Sequence, residues 1–200
     1  MSFLTLVTVS WNFYYLASDT SPSKVSGVFW KMKVNQISGV QINNLVVHKD
    51  SRGSFMRILD LSEADFKIDR PQISFSKNTN PYTFRGLHGM TRSTSEFKFV
   101  SCLSGSLIDY IVDLRPESAT YLMHLEIHLD SQNPKVVVIP PGCVHGYLTL
   151  KSETEILYVM STPYKAINEI GVRFDDPKIG LKLPKIPVDV SQKDLSWPLL

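Results

Sequence analysis

From Val34 onward, apolar and polar residues alternate in short runs that glycine, proline and small polar residues interrupt. That period of two is the pattern of strands rather than helices. Gly39 to Val47 reads as a strand, and His48-Lys49-Asp50-Ser51-Arg52-Gly53-Ser54 is turn chemistry leading to a second strand, Phe55 to Leu61. Glu96 to Leu103 and Ser106 to Leu114 flank Ser104-Gly105 as a hairpin with a tight turn. Tyr121 to Leu129, Lys135 to Ile139, Gly146 to Leu150 and Glu155 to Ser161 continue the series. Strands this short, at this spacing, predict an all-β sandwich or small barrel. Only Ser62 to Phe66 and the last ten residues carry helical character, and a tail marked by Pro177, Pro184 and Pro187 is expected to wrap over the surface. No internal repeat or low-complexity tract is present.

Composition narrows the classes. Two hundred residues suit one domain with a sizeable core. A hydrophobic fraction of 43% and a charged fraction of 20% are those of an ordinary globular protein. The net charge of +2 is too weak to point to nucleic acid. Cys102 and Cys143 are too few for a disulfide framework, which favours a reducing compartment, the cytoplasm. Met1 to Leu16 is apolar and aromatic, and Leu16-Ala17-Ser18 has some likeness to a small-residue cleavage site. The segment nevertheless lacks a positive n-region, Ser10 and Asn12 interrupt its apolar run, and it is too short to span a bilayer. Residues 1–32 are read as an extension, poorly ordered or outside the fold, or as an artefact of start-site choice with Met32 as a candidate start. Residues 33–200 then form a single domain, with no membrane association expected.

Candidate chemistry concentrates between Arg85 and Tyr147. The stretch opens with Arg85-Gly86-Leu87-His88 and closes with Pro140-Pro141-Gly142-Cys143-Val144-His145-Gly146-Tyr147. Each histidine stands beside a glycine at the end of an apolar segment, where a side chain can project into a cavity. Alternation puts Lys98, Val100 and Cys102 on one strand face, opposite Phe97, Phe99 and Ser101; Tyr158 shares a face with Ile156 and Met160. A lysine among apolar neighbours either lines a barrel interior, where it shifts its pKa or pairs with an anion, or guards a strand edge against aggregation. The strand pattern alone leaves both open. Two imidazoles, a lysine and the nearby carboxylates Asp109 and Asp113 suit proton transfer on an anionic substrate.

At this point the residues resemble a known family, dTDP-4-dehydrorhamnose 3,5-epimerase. The likeness rests on Arg85-Gly86-Leu87-His88, Lys98-Phe99-Val100, Asp109-Tyr110-Ile111-Val112-Asp113-Leu114-Arg115 and Ile139-Pro140-Pro141-Gly142-x-x-His145-Gly146. Ile156-Leu157-Tyr158, Asp175-Asp176-Pro177-x-Ile179-Gly180 and Ser191-x-Lys193-Asp194 complete it, in the same order from Val34 onward. The resemblance implies a cupin-type jelly-roll β-barrel with short peripheral helices, a homodimer with no cofactor and no metal needed for chemistry. It implies epimerisation of a nucleotide-linked 4-keto-6-deoxy sugar, most readily dTDP-linked, at C3, C5 or both, in deoxysugar or surface polysaccharide biosynthesis. Hydrogens beside the C4 carbonyl are acidic, so the reaction needs a base, a stabiliser of the enolate and an acid on the opposite face. By resemblance these are His88 (base), Asp194 (its partner), Lys98 (enolate stabiliser) and Tyr158 (acid). Arg52, Arg85, His145, Tyr164, Glu169 and Lys193 match substrate contacts, the arginines at the diphosphate and Tyr164 against the base.

The departures cluster around recognition. Gln72 and Ser74 stand where the family has Gln-x-Asn; Arg57 falls where a glutamate is expected; Gly89-Met90 replaces an aromatic-Gln pair; Pro163 replaces a tyrosine. The proton-transfer set is intact, so the same chemistry on a different sugar or base, or at one centre only, is expected. Taken singly, each residue has a plainer reading: a turn-capping histidine, a core tyrosine, an aspartate at a helix cap. His124, Glu126 and His128 share one strand face at a spacing that can bind zinc, but a solvated or dimer-facing face is the expected role. Cys143 is read as a buried small hydrophobe rather than a nucleophile. Two other functions remain open: a cupin-type nucleotide-sugar 3,4-ketoisomerase and a non-catalytic sugar-binding cupin.

Overall fold

The computed structural model describes residues 37–60, 68 and 70–200. The extension 1–32 and the helical stretch Ser62 to Phe66 lie outside the described residues, as does Leu61. Thirteen strands and one short helix follow one another along the described chain. The strands are β1 (Gln41–Asn44), β2 (Val47–Asp50), β3 (Gly53–Met56), β4 (Gln72–Asn78), β5 (Thr83–Met90), β6 (Lys98–Ser104) and β7 (Ser106–Asp113). They continue as β8 (His124–Asp130), β9 (Lys135–Ile139), β10 (Cys143–Thr149), β11 (Thr154–Met160), β12 (Glu169–Gly171) and β13 (Asp189–Val190), ahead of α1 (Gln192–Leu195). Short 3-10 turns at Arg92–Thr94 and Ala166–Asn168 are the other helical pieces.

Two sheets face each other, the jelly-roll arrangement. One runs β1-β9-β6-β11-β4; the other runs β12-β5-β10-β7-β8, with β13 added in parallel to β5. Inward side chains of both sheets form the central core: Val100, Cys102, Leu107, Ile111, Val137 and Ile156, all at most 1% exposed. A second core lies on the other face of the six-stranded sheet. There Phe84, Leu87, Tyr110, Val112 and Leu148 are covered by Val172, Phe174, Ile179, Leu181 and Leu183 of the carboxyl-terminal segment. The tail therefore does wrap the surface, and it buries apolar area in doing so.

The sequence pattern and the structure differ at several places, among them β12 and β13, which had no predicted counterpart, and β8, which starts at His124 rather than Tyr121. Gly39 to Val47 is not one strand: β1 ends at Asn44, and His48 to Asp50 belong to β2, whose two-residue turn is Ser51-Arg52. β3 stops at Met56, short of the expected Phe55 to Leu61 span. β10 begins at Cys143, so His145 sits within the strand and not in the turn before it. β4 and β5 have no counterpart among the predicted strands, although β5 carries Arg85 and His88. Glycine explains the miss at β5. A Cβ on Gly86 (φ +112°) would stand 2.5 Å from the Gly146 Cα, and one on Gly146 would stand 2.5 Å from the Arg85 carbonyl oxygen. Backbone thus meets backbone there, and the β5–β10 register shifts between His145 and Tyr147.

Candidate active site

A cavity of about 260 Å³ opens between the two sheets. His88 enters from β5 in the six-stranded sheet, while Lys98 and Tyr158 enter from β6 and β11 in the five-stranded one. Tyr158 pairs with Val100 across the β6–β11 ladder, one inward position from Lys98. His145 pairs directly with His88 across β5–β10, and its ring is 6.1 Å from that of His88 and 6.3 Å from that of Tyr158, centroid to centroid. Imidazole and phenol therefore flank one hollow from facing sheets, with the ammonium on the same wall as the phenol.

Each group is held by identifiable neighbours. Ser191 caps α1 by accepting the Asp194 backbone N–H, and this places the buried Asp194 carboxylate with Oδ1 3.6 Å from His88 Nδ1. Burial pushes the Asp194 carboxyl up, but His88, the Gly86 backbone and Ser191 outweigh it and leave it below the usual value. Burial likewise pushes the Lys98 ammonium down, against the opposing charges of Glu96, Asp109 and Glu169. Burial raises the Tyr158 phenol well above its ordinary value; Tyr147 adds to this and the Ser76 hydrogen bond works against it. His145 Nδ1 lies 2.9 Å from Asp109 Oδ1. Burial and the Lys98 charge bring the His145 imidazole down to about 4 despite Asp109, so it is neutral near pH 7, donating Nδ1–H to Asp109.

The remaining expected contacts divide into those at the cavity and those away from it. Gln72, Arg85, Tyr164 and Glu169 line it. Tyr164 donates its hydroxyl to Glu169 (3.0 Å) and its backbone N–H to Gln72 (3.1 Å), while Lys193 Nζ bonds both Glu169 oxygens at 2.8 and 2.7 Å. Ser74 is half-buried on β4 opposite Tyr158 and is not a lining residue. Arg52 is apart: it sits in the β2–β3 turn with 88% of its side chain exposed, paired to Asp50 at 2.7 Å. That hairpin is a separate two-stranded sheet, and among the described residues Arg52 is not at the cavity. Arg57 is exposed as well, paired to Asp60 at 3.0 Å.

Asp113 does not join the site with Asp109. It is fully buried and accepts from Arg115, Ser118 and Thr120 at 2.6–2.8 Å, closing a loop. Cys143 is buried, and burial pushes its thiol up to about 12, which suits packing and not nucleophilic attack. His124 and Glu126 come within 3.8 Å on the outer strand β8, yet among the described residues no three His, Cys, Asp or Glu side chains are placed to hold a metal. Also among the described residues, no helix is long and apolar enough to cross a membrane. The site includes residues to which sequence reasoning gave no role: Ser76, Asn78, Glu96, Tyr147 and Met160. The one signal toward Ser76 was polar–apolar alternation over Gln72 to Ser76, which Lys77 ends before Asn78.

Acid–base groups on both walls of a jelly-roll mouth define the class of jelly-roll isomerases. Comparison with known proteins agrees. The family model for dTDP-4-dehydrorhamnose 3,5-epimerase matches residues 34–200, and the chain belongs to that family. It is similar to the dTDP-4-dehydrorhamnose 3,5-epimerase of Sinorhizobium fredii, 40% identical over 119 residues. That stretch covers 59% of this chain and 61% of the relative, under two thirds of its length. The Methanothermobacter thermautotrophicus protein of the same name is 32% identical over 80% of this chain and 89% of its own. Among solved structures, the Legionella pneumophila epimerase in complex with dTDP-4-keto-L-rhamnose superposes with a TM-score of 0.73 at 25% identity, over 82% of this chain and 89% of that one.

Proposed function

We propose that this protein epimerises a nucleoside-diphosphate 4-keto-6-deoxy sugar, dTDP-linked, at C3, C5 or both. The observation that carries the reading is the cavity with His88 on one wall and Tyr158 and Lys98 on the other. His88 removes the proton beside the carbonyl, and Asp194 orients its ring and offsets the charge it gains. Lys98 stabilises the enolate oxygen, and Tyr158 returns a proton from the opposite face, which inverts the carbon. Arg85 meets the diphosphate, Tyr164 the base, and Gln72, Ser74, His145, Glu169 and Lys193 the remaining polar groups of the ligand. The chain 33–200 acts as one domain in the cytoplasm, in deoxysugar biosynthesis.

The working unit in this reading is a homodimer. Three observations support it: β4 is an edge strand, its outer residues Ile73 and Phe75 are 69% and 55% exposed, and Phe55 beside the Arg52 turn is 65% exposed. A second copy covering these groups would bring Arg52 toward its own cavity. The test is a panel of nucleotide-linked 4-keto-6-deoxy sugars in heavy water, followed by mass and proton NMR. Solvent deuterium should enter at C3 or C5 with inversion, and His88→Asn should lose both by about 10³-fold or more. A 3-keto product without inversion would mark a 3,4-ketoisomerase. Binding without exchange, insensitive to His88→Asn, would mark a sugar-binding module.

A further inference from the structure

Five side chains connect the outer rim of the cavity to the phenol of Tyr158 through an unbroken line of hydrogen bonds. Arg85 Nε donates to Asn78 Oδ1 at 2.8 Å, and the Tyr147 hydroxyl donates to the same oxygen at 3.3 Å. Ser76 Oγ lies 3.1 Å from the Tyr147 hydroxyl and 3.1 Å from the Tyr158 hydroxyl. Asn78 Nδ2 donates to the Thr154 carbonyl at 3.1 Å, which fixes its Oδ1 as the end facing Arg85 and Tyr147. Asn78 and Tyr147 are each only 2% exposed.

The donor count leaves this line one arrangement that fills all three hydroxyl links and, of those that free the Tyr158 hydrogen, one that keeps Ser76 bonded to both phenols. Asn78 Oδ1 can only accept, and each hydroxyl carries one hydrogen. In the first arrangement Tyr147 donates to Asn78, Ser76 to Tyr147 and Tyr158 to Ser76. All three hydrogens are engaged, and the Tyr158 hydrogen is turned away from the cavity. In the second, Tyr147 donates to Ser76 and Ser76 to Tyr158, while Arg85 keeps Asn78 Oδ1 satisfied. The Tyr158 hydrogen is then free to face a bound sugar, and its oxygen gains a donor. Rotation of hydroxyl groups alone converts one into the other.

Building on the acid role given to Tyr158, we infer that Ser76 and Tyr147 are positioning residues forming a two-position hydroxyl switch that readies this phenol to give up its proton. The step balances. The Tyr158 O–H bond breaks as a C–H bond forms at the sugar carbon, and the electron pair left on the phenolate oxygen is held by the Ser76 O–H. After product leaves, water supplies the replacement proton. A buried phenolate without such a donor is costly, and Ser76 is the neighbour whose hydrogen bond eases ionisation of Tyr158. Asn78, with Arg85 as its second donor, makes the switch affordable, since losing the Tyr147 hydrogen never leaves its buried oxygen bare.

The test compares wild type, Ser76→Ala, Ser76→Thr and Tyr147→Phe on a dTDP-4-keto-6-deoxy sugar in heavy water. Deuterium entry into recovered substrate and inversion are scored separately. An enolate formed by His88 but badly served by Tyr158 takes its proton back on the original face, which exchanges hydrogen without inverting. The expected result is a ratio of exchange to inversion raised at least about five-fold in Ser76→Ala and Tyr147→Phe, with Ser76→Thr restoring the wild-type ratio. General damage to the site would lower both rates together. If wild type exchanges and inverts through His88 while the ratio stays unchanged in both variants, the switch is overturned and the epimerase reading stands. A wild type inert toward every ketosugar overturns both. Should Ser76→Ala fail to fold, Tyr147→Phe, which removes a single oxygen, carries the comparison.

Discussion

Protonating His145 means charging an imidazole that is 3% exposed, and folding has to bear that cost. Its folded-state pKa of about 4 lies below the ordinary 6.5, so between those values the folded protein binds fewer protons than the unfolded chain. The sign follows: the contribution is whole above pH 6.5, drains as pH falls and is gone below about 4. A shift of this size corresponds to about 3 kcal/mol. Chemical denaturation of wild type and His145→Gln between about pH 7 and pH 4 checks it; the stability of wild type should fall more steeply with acid than that of the variant, and parallel curves would remove the effect. At this scale the sequence was informative where residue type is rare in a strand: histidines next to glycines, a lysine among apolar neighbours. It was uninformative for Ser76, Asn78 and Tyr147, because a hydroxyl or amide on a strand reads equally as solvent-facing or turn-forming until its partners from distant segments are known.

Two elements show how local rules act and where they invert. Helix α1 is a single turn, too short to persist without its Ser191 cap, and that cap also sets the Asp194 carboxylate against His88. Ser191→Ala is expected to cost about 1 kcal/mol of stability yet lower turnover by roughly ten-fold or more, with Asp194→Asn lowering it further. Denaturation midpoints and exchange rates on the same preparations separate the two effects; a variant of Ser191 that loses stability alone would detach the cap from catalysis. β4 is the inverted case. The usual rule puts Ile73 and Phe75 inward and the polar set outward, whereas here Gln72 and Ser76 line the cavity, Asn78 is buried, and the two apolar side chains face out. The rule failed because the interior at this edge is an open cavity rather than a packed core. β5 escaped prediction for a related reason: its glycines permit close backbone contact with β10, and they break the alternation by which strands are recognised.

For the molecule as a whole, alternation predicted an all-β sandwich or small barrel, and the jelly roll came from the family resemblance; the central core has Val100, Cys102 and Ile156 facing inward as their parity requires. What alternation could not convey is the second core, because Phe84, Tyr110 and Leu148 are covered by chain far away in sequence. Exposed apolar groups on β4 give the molecule-scale prediction. If the proposed homodimer forms through this edge, wild type should sediment as a dimer and Phe75→Asp as a monomer with weaker nucleotide-sugar binding; a wild-type monomer, or a variant that stays dimeric, would overturn that contact. The carboxyl-terminal wrap has a consequence of its own. Asp194 reaches His88 only at the far end of a strap whose approach, around Ile186 and Val188, lies 88% and 67% exposed to solvent. One protease nick at Lys185 would leave the barrel standing with His88 and Tyr158 in place while severing the covalent tether of the Asp194 carboxylate beside His88. Inactivation by limited digestion should then run ahead of unfolding, and the released peptide, added back in excess, should revive the enzyme.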